Sequence, residues 1–157
     1  MGASDDVWLS EPELAFLREL EIRGVRYLVV GMSAAILQGV PGTTQDVDLW
    51  FESLGDARIG EAAHAAGGFW ATRMSPPMLG GALGERFDVV TQMSGIENFA
   101  AEYAHAIVQD LAGQHLHVLP LERVAASKRA AGRPKDLLAV RLIEETLAIA
   151  AHPAVKR

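Results

Sequence analysis

Residues Asp46-Val47-Asp48-Leu49-Trp50-Phe51 set two carboxylates one residue apart at the start of an otherwise apolar run, and no other segment constrains the fold as much. Side chains alternate faces along a strand, so Val47, Leu49 and Phe51 can enter a core while both carboxylates project together from the other face. Two like charges held so close repel unless something neutralises them. Hard cations with oxygen ligands, Mg2+ first, do so. A glycine turn at Gly31 precedes the segment.

The chain has 157 residues, 50% of them hydrophobic and 22% charged, which suits one domain (1–157) with a self-supporting core. There is no cysteine, which removes disulfides, thiolate zinc sites and cysteine nucleophiles together and suits a reducing, cytoplasmic compartment. Met1 to Val7 is acidic and lacks a basic-then-apolar signal, and Asp6 stands where a myristoylation motif wants Ser or Thr. No apolar run approaches the roughly 18 residues of a membrane span. The net charge of -6 argues against a nucleic-acid-coating protein, but Arg123 to Arg141 holds six basic residues and one acid, Asp136, so a local anion site is expected there.

Ser10-Glu11-Pro12-Glu13 reads as a capping box opening an N-terminal helix over 10–23, with Leu14, Leu17 and Leu20 at helical spacing and Gly24 as the stop. A sheet-containing core over 25–119 follows. Val25 to Val30 is a buried strand, Ala34 to Leu37 a short helix, and Asp46 to Phe51 the acidic strand. Gly55 to Ala66 reads as a helix, 68–73 as a strand, Ser75 to Gly84 as a glycine- and proline-rich loop, and Arg86 to Thr91 as a strand. Glu97 to Ala106 is a helix, and 107–119 a hairpin turning near Ala112-Gly113. Two C-terminal helices over 121–150 are split by Gly132-Arg133-Pro134.

Asp88 stands alone among the apolar residues of its strand. It is either a solvated strand-end residue or, where its strand neighbours the first acidic one, the third carboxylate of a two-metal site. Three carboxylates can hold two Mg2+ ions that bridge phosphate oxygens. The Gly31 turn opens a helix, so its backbone N-H groups would face a phosphate that glycine lets come close.

Tyr27-Leu-Val-Val-Gly31-Met-Ser-Ala-Ala-Ile-Leu-Gln-Gly39-Val-Pro-Gly-Thr-Thr-Gln-Asp46-Val-Asp48-Leu resembles the nucleotidyltransferase superfamily, the polymerase-beta-like fold, and looks closest to its small bacterial branch related to abortive-infection toxins. Arg86-Phe-Asp88-Val-Val-Thr-Gln-Met-Ser-Gly95-Ile and Val118-Leu-Pro-Leu-Glu-Arg-Val-Ala-Ala-Ser-Lys128-Arg-Ala-Ala-Gly-Arg133-Pro-Lys135-Asp136-Leu carry the resemblance further, across most of Val25 to Leu147. It implies an α/β (α+β) domain with a mixed sheet and a C-terminal helical tail. It also implies metal (Mg2+ or Mn2+) on Asp46, Asp48 and Asp88, the triphosphate of an NTP substrate on the Gly31-Met32-Ser33 turn, and Lys128 with Asp136 completing the site. The activity implied is transfer of a nucleoside monophosphate to a hydroxyl acceptor in a tRNA or other RNA, a protein or a small molecule, with a cognate toxin or antitoxin as partner and no membrane association. The chain departs from the pattern at Met32, where a second small residue is usual, and at Gly42, where relatives carry arginine. These departures motivate the alternative of a catalytically weak or inactive nucleotide-binding or interaction module.

Other polar and aromatic residues have structural alternatives. Lys128, Arg129, Arg133 and Lys135 fit either an anion site or a solvated helix face. Asp136 also suits the first turn of a helix. His115 and His117 share a strand face but lack a third soft ligand for zinc. Trp50 shares the aspartate face and could stack on a base or pack. The Leu137, Val140, Ile143, Leu147 stripe reads as core or partner surface.

Overall fold

The computed structural model describes residues 9–151; the expectations for Met1 to Val7 lie outside them. Helix α1 (Glu11–Ile22) begins with the expected reciprocal cap: Glu13 N donates to Ser10 Oγ at 3.3 Å and Ser10 N donates to Glu13 Oε1 at 2.8 Å. Phe16, Leu17 and Leu20 are its fully buried residues, and Gly24, at φ +69°, turns the chain out of it.

Strand β1 (Tyr27–Val30) is buried throughout and occupies the centre of a five-stranded mixed sheet in the order β5-β2-β1-β7-β6. Helix α2 (Gly31–Leu37) follows it at once, and the chain returns as β2 (Val47–Phe51), antiparallel to β1 with Val30 opposite Asp48. On the far side of β2 runs β5 (Phe87–Val89), parallel, with Asp88 opposite Asp48. β6 (Ile107–Leu111) and β7 (Gln114–Val118) form the expected hairpin, turning through Ala112 and Gly113 at φ 52° and 85°, and β7 joins β1 in parallel. Two positive φ values in a two-residue loop give the twist that a hairpin needs.

Helices α3 (Ala57–Ala65) and α1 pack together, as do α5 (Leu121–Ala131) and α6 (Pro134–Ala151), while α2 contacts both β2 and α5. Tyr27, Leu28, Ile36, Leu37, Leu49 and Ile59 are among the largest side chains excluded from solvent. Among the described residues, no helix is long and apolar enough to cross a membrane.

Four local differences have physical causes. The segment read as a loop over 75–84 contains a strand, β4 (Met78–Gly81), which pairs with β3 (Gly68–Ala71) in a separate two-stranded sheet. Its glycines serve close approach: a Cβ on Gly80 would enter the Phe69 ring, and one on Gly68 would lie 2.6 Å from the Gly80 carbonyl oxygen. The helix expected over 97–106 is shorter, α4 (Phe99–Tyr103), because Asn98 caps it by accepting from Ala101 N at 3.0 Å. The strand expected over 86–91 pairs only across Phe87–Val89. Leu137 is 50% exposed, whereas Val140 and Ile143 are buried, so the inward stripe of α6 begins at Asp136 and Ala139.

Candidate active site

Asp48 is held from three directions. Its strand is paired on one side to β1 and on the other to β5, and its N-H donates to Ser33 Oγ at 3.1 Å. The Ser33 hydroxyl in turn donates to the Val30 carbonyl at 2.9 Å and is fully buried. Ser33, expected to hold phosphate through the turn, is therefore a staple between α2 and β2, with its hydroxyl directed inward. Met32 is partly buried against the core and lines an apolar depression with Leu138 and Leu142 on α6.

Gly31 has φ +64°, and a Cβ built on it would lie 2.6 Å from Asp48 Oδ2. The Asp48 carboxylate thus lies directly over the first backbone turn of α2. Gly31→Ala combines a left-handed alanine with loss of the space beside that carboxylate, so we expect a drop of roughly 1 to 3 kcal/mol in stability and displacement of Asp48, read as a lower melting temperature and weaker NTP binding.

The register pair Asp48 and Asp88 sits on one sheet face, and Asp46 precedes β2 by one residue. Burial raises the Asp48 carboxyl to about 6, with the charges of Asp88 and Asp46 adding to the rise and that of Lys128 opposing it. The Asp88 carboxyl is also raised, by burial first and then by the Asp46 charge. All three acids therefore interact. Among the described residues, no three carboxylate or imidazole groups are already closed around one point.

A cavity of about 270 Å3 joins Gly31, Asp48 and Val90 to Lys128, Arg133 and Asp136. The two C-terminal helices do fold back over the acidic face, bringing together residues that helical spacing alone could not. Lys128 Nζ lies 3.6 Å from Asp136 Oδ1. Arg133 holds the same carboxylate more tightly: Nε and N donate to Oδ2 at 2.6 and 3.3 Å, and Nη2 to Oδ1 at 3.3 Å. These bonds from Arg133, then the Lys128 charge, keep the Asp136 carboxyl below the usual range. Asp136 is 1% exposed.

Asp46 opens instead into a neighbouring depression with Glu13, Gln45, Glu85 and Arg86. The cavity also contains Gln92, Met93 and Ser94 from the loop after β5, residues not singled out from sequence. Gly95 was their visible signal: it has φ +70°, and a Cβ there would approach Ala130 to 2.7 Å, so only glycine lets this loop close on α5. Trp50 is buried edge-on against Phe99, at 5.1 Å between centroids. His117 binds Glu21 at 3.1 Å and packs on Tyr27, while His115 faces Asp110 at 3.8 Å, so the two imidazoles are held by different carboxylates.

A mixed sheet with two acids in register, a glycine turn entering the first helix and a helical tail closing over them make a fold shared with solved structures of ANT(2")-Ia. No family model and no curated protein matches the sequence. Among solved structures, the crystal structure of ANT(2")-Ia in complex with adenylyl-2"-tobramycin is similar at a TM-score of 0.54 and 16% identity, covering 91% of this chain and 95% of that one. The solution structure of the antibiotic-resistance factor ANT(2'')-Ia gives a TM-score of 0.55 at 16% identity, covering 89% and 88%.

Proposed function

We propose that this protein transfers a nucleoside monophosphate from an NTP to a hydroxyl group of a small molecule, releasing pyrophosphate. The observation that carries this conclusion is the register of Asp48 with Asp88 beside a cavity that also contains Gly31 and Lys128. The similar ANT(2")-Ia structure holds an adenylyl adduct of a small molecule.

Asp46, Asp48 and Asp88 would hold Mg2+ or Mn2+. Their donor set is all oxygen, the charge of Asp46 adds to the raised proton affinity of both Asp48 and Asp88, and the missing Cβ of Gly31 leaves the Asp48 carboxylate its space. Bound there, the ions would neutralise phosphate charge and lower the pKa of the acceptor hydroxyl. The protein's own groups do the rest. The Gly31 turn seats the triphosphate, Lys128 offsets the negative charge that grows on the departing pyrophosphate, and Arg133 holds Asp136 so that Lys128 stays aimed into the cavity. Asp88, exposed and raised, takes the acceptor proton on a carboxylate oxygen.

A small acceptor is favoured over RNA by the state of the basic segment. Arg123 pairs with Glu102 at 2.8 Å, Arg129 with Glu144 at 2.6 Å, and Arg133 and Lys128 with Asp136. Four of the six cations between Arg123 and Arg141 are thus neutralised internally, which leaves no stripe to track a phosphate backbone. Membership of the abortive-infection branch, a cognate toxin or antitoxin and a cytoplasmic location rest on the sequence motifs and the absence of cysteine. Co-expression with the products of adjacent genes tests the partner.

Incubation with each labelled NTP, Mg2+, a panel of hydroxyl compounds and total RNA is the direct test. Label on a small molecule, dependent on Mg2+, is expected. Label on RNA overturns the acceptor class, and NTP binding with no transfer to any acceptor favours the inactive nucleotide-binding module. The same site predicts a pH dependence. Because folding raises the Asp48 carboxyl to about 6, the folded chain binds this proton more tightly than the unfolded one, and the ion-free protein loses stability as pH rises from the ordinary carboxyl range through about 6. Ions need the ionised form, so Mn2+ affinity in calorimetry should fall about tenfold per unit below that value.

A further inference from the structure

Asp48 and Asp88 are fixed by the sheet, but Asp46 is not: it lies before β2, and its placement depends on the loop Thr44-Gln45-Asp46. That loop is tied to one residue. Arg86, just before β5, accepts from Val47 N through its carbonyl at 2.7 Å and donates from Nη1 to the Gln45 carbonyl at 2.6 Å. Its backbone and its side chain therefore grip the two residues that flank Asp46. Within the loop, Thr44 Oγ1 donates to the Asp46 carbonyl at 2.9 Å.

The guanidinium is itself held. Arg86 Nε lies 3.4 Å from Glu13 Oε1, the oxygen that also accepts from Ser10 N. Glu13 is 8% exposed, and a buried carboxylate needs such a cation. With its charge matched by Glu13 and a donor taken by the Gln45 carbonyl, Arg86 fixes the loop through the backbone and leaves the Asp46 carboxylate available. Two residues further along its own chain stands Asp88, so Arg86 ties the loop that carries Asp46 to the strand that carries Asp88.

We propose that Arg86, oriented by Glu13, is a positioning residue that holds Asp46 in line with Asp48 and Asp88 for ion binding. The proposal rests on the nucleotidyltransferase reading above. It assigns to the cap of α1 a second role, as the anchor of the site's loop.

The test compares the full chain with Arg86→Met, Arg86→Lys and Glu13→Gln. Hydrogen exchange of the Gln45, Asp46 and Val47 amides is read without ions, and Mn2+ affinity is read by calorimetry with a non-hydrolysable ATP analogue. Arg86→Met should speed exchange across 45–47 while the β1 amides keep their protection, and weaken Mn2+ about ten- to a hundredfold, as loss of a residue supporting a metal ligand does. Arg86→Lys, which keeps the charge beside Glu13 and one donor, should fall between Met and Arg and covers the case in which Arg86→Met does not fold. Glu13→Gln should move both readouts in the same direction. Unchanged Mn2+ affinity in a folded Arg86 variant, with the unsubstituted chain binding Mn2+ normally, overturns the positioning role alone; failure of the unsubstituted chain to bind Mn2+ overturns the proposed function and this role together.

Discussion

Asp48→Asn should abolish nucleotide transfer and, in the same protein, raise the melting temperature measured without ions. The two effects share a cause. Holding Asp48 ionised beside Asp88 and Asp46 in a partly buried position lifts its carboxyl from 3.8 to about 6, and each unit of such a lift corresponds to about 1.4 kcal/mol of destabilisation at neutral pH. Removing the charge recovers about 3 kcal/mol at most, which for a domain of this size is roughly 5 to 10 °C. The gain should be present at pH 7.5, roughly halved near pH 5 and largely gone only below the ordinary carboxyl range, where the carboxyl is protonated in folded and unfolded chains alike. Turnover should fall on the order of a thousandfold or more, since the residue would act as a unit with its neighbours. Differential scanning calorimetry at both pH values, beside a transfer assay, checks this. A melting temperature that is unchanged or lowered at pH 7.5 would show that the carboxylates are not strained against one another.

Lys128→Ala should lower turnover by about ten- to a thousandfold with little loss of stability, because a positioned cation acts on charge that develops in the transition state. The geometry separates the two effects. Asp136 loses one neighbour at 3.6 Å but keeps its bonds to Arg133, so no buried carboxylate is abandoned. The remaining loss is that of a partly exposed ion pair, about 1 kcal/mol or less. Asp48 also loses the one cation that lowers its proton affinity, so the pH below which the variant fails should move upward. Rate measurements from pH 5 to 8 with a parallel thermal melt would show it. Full turnover in Lys128→Ala would reduce α5 and α6 to scaffold.

The local chemistry of this chain was legible in its sequence, and the long-range pairing was only partly so. The capping box at Ser10 and Glu13, the hairpin through Ala112-Gly113 and the span of α5 each depend on residues within a few positions of one another, and each formed as expected. That β5 would lie beside β2 with Asp88 facing Asp48 is a property of sheet order, and alternation along one strand carries no information about its neighbour. Glycine was the ambiguous letter. At Gly31 and Gly95 it marks close approach at the site, but at Gly80 the same residue reads as loop and serves a strand pair. Ser33 was read only through the backbone of its turn, and the bond of its hydroxyl to the Val30 carbonyl three residues back was not foreseen. Arg133 and Arg86 were visible only as basic residues, because what each one grips is set by tertiary contact.

β5 is three residues long and lies at the rim of the sheet, bonded only to β2, with Asp88 exposed between the buried Phe87 and Val89. Its packing is thus carried by the two flanking apolar residues, and the carboxylate between them is structurally dispensable. A single substitution there should leave the interior untouched, so under the proposed function descendants of such a chain could trade chemistry for simple ligand capture in one mutational step. Under the proposed function, retention of an acid at this position in a lineage would record selection on turnover rather than on the fold.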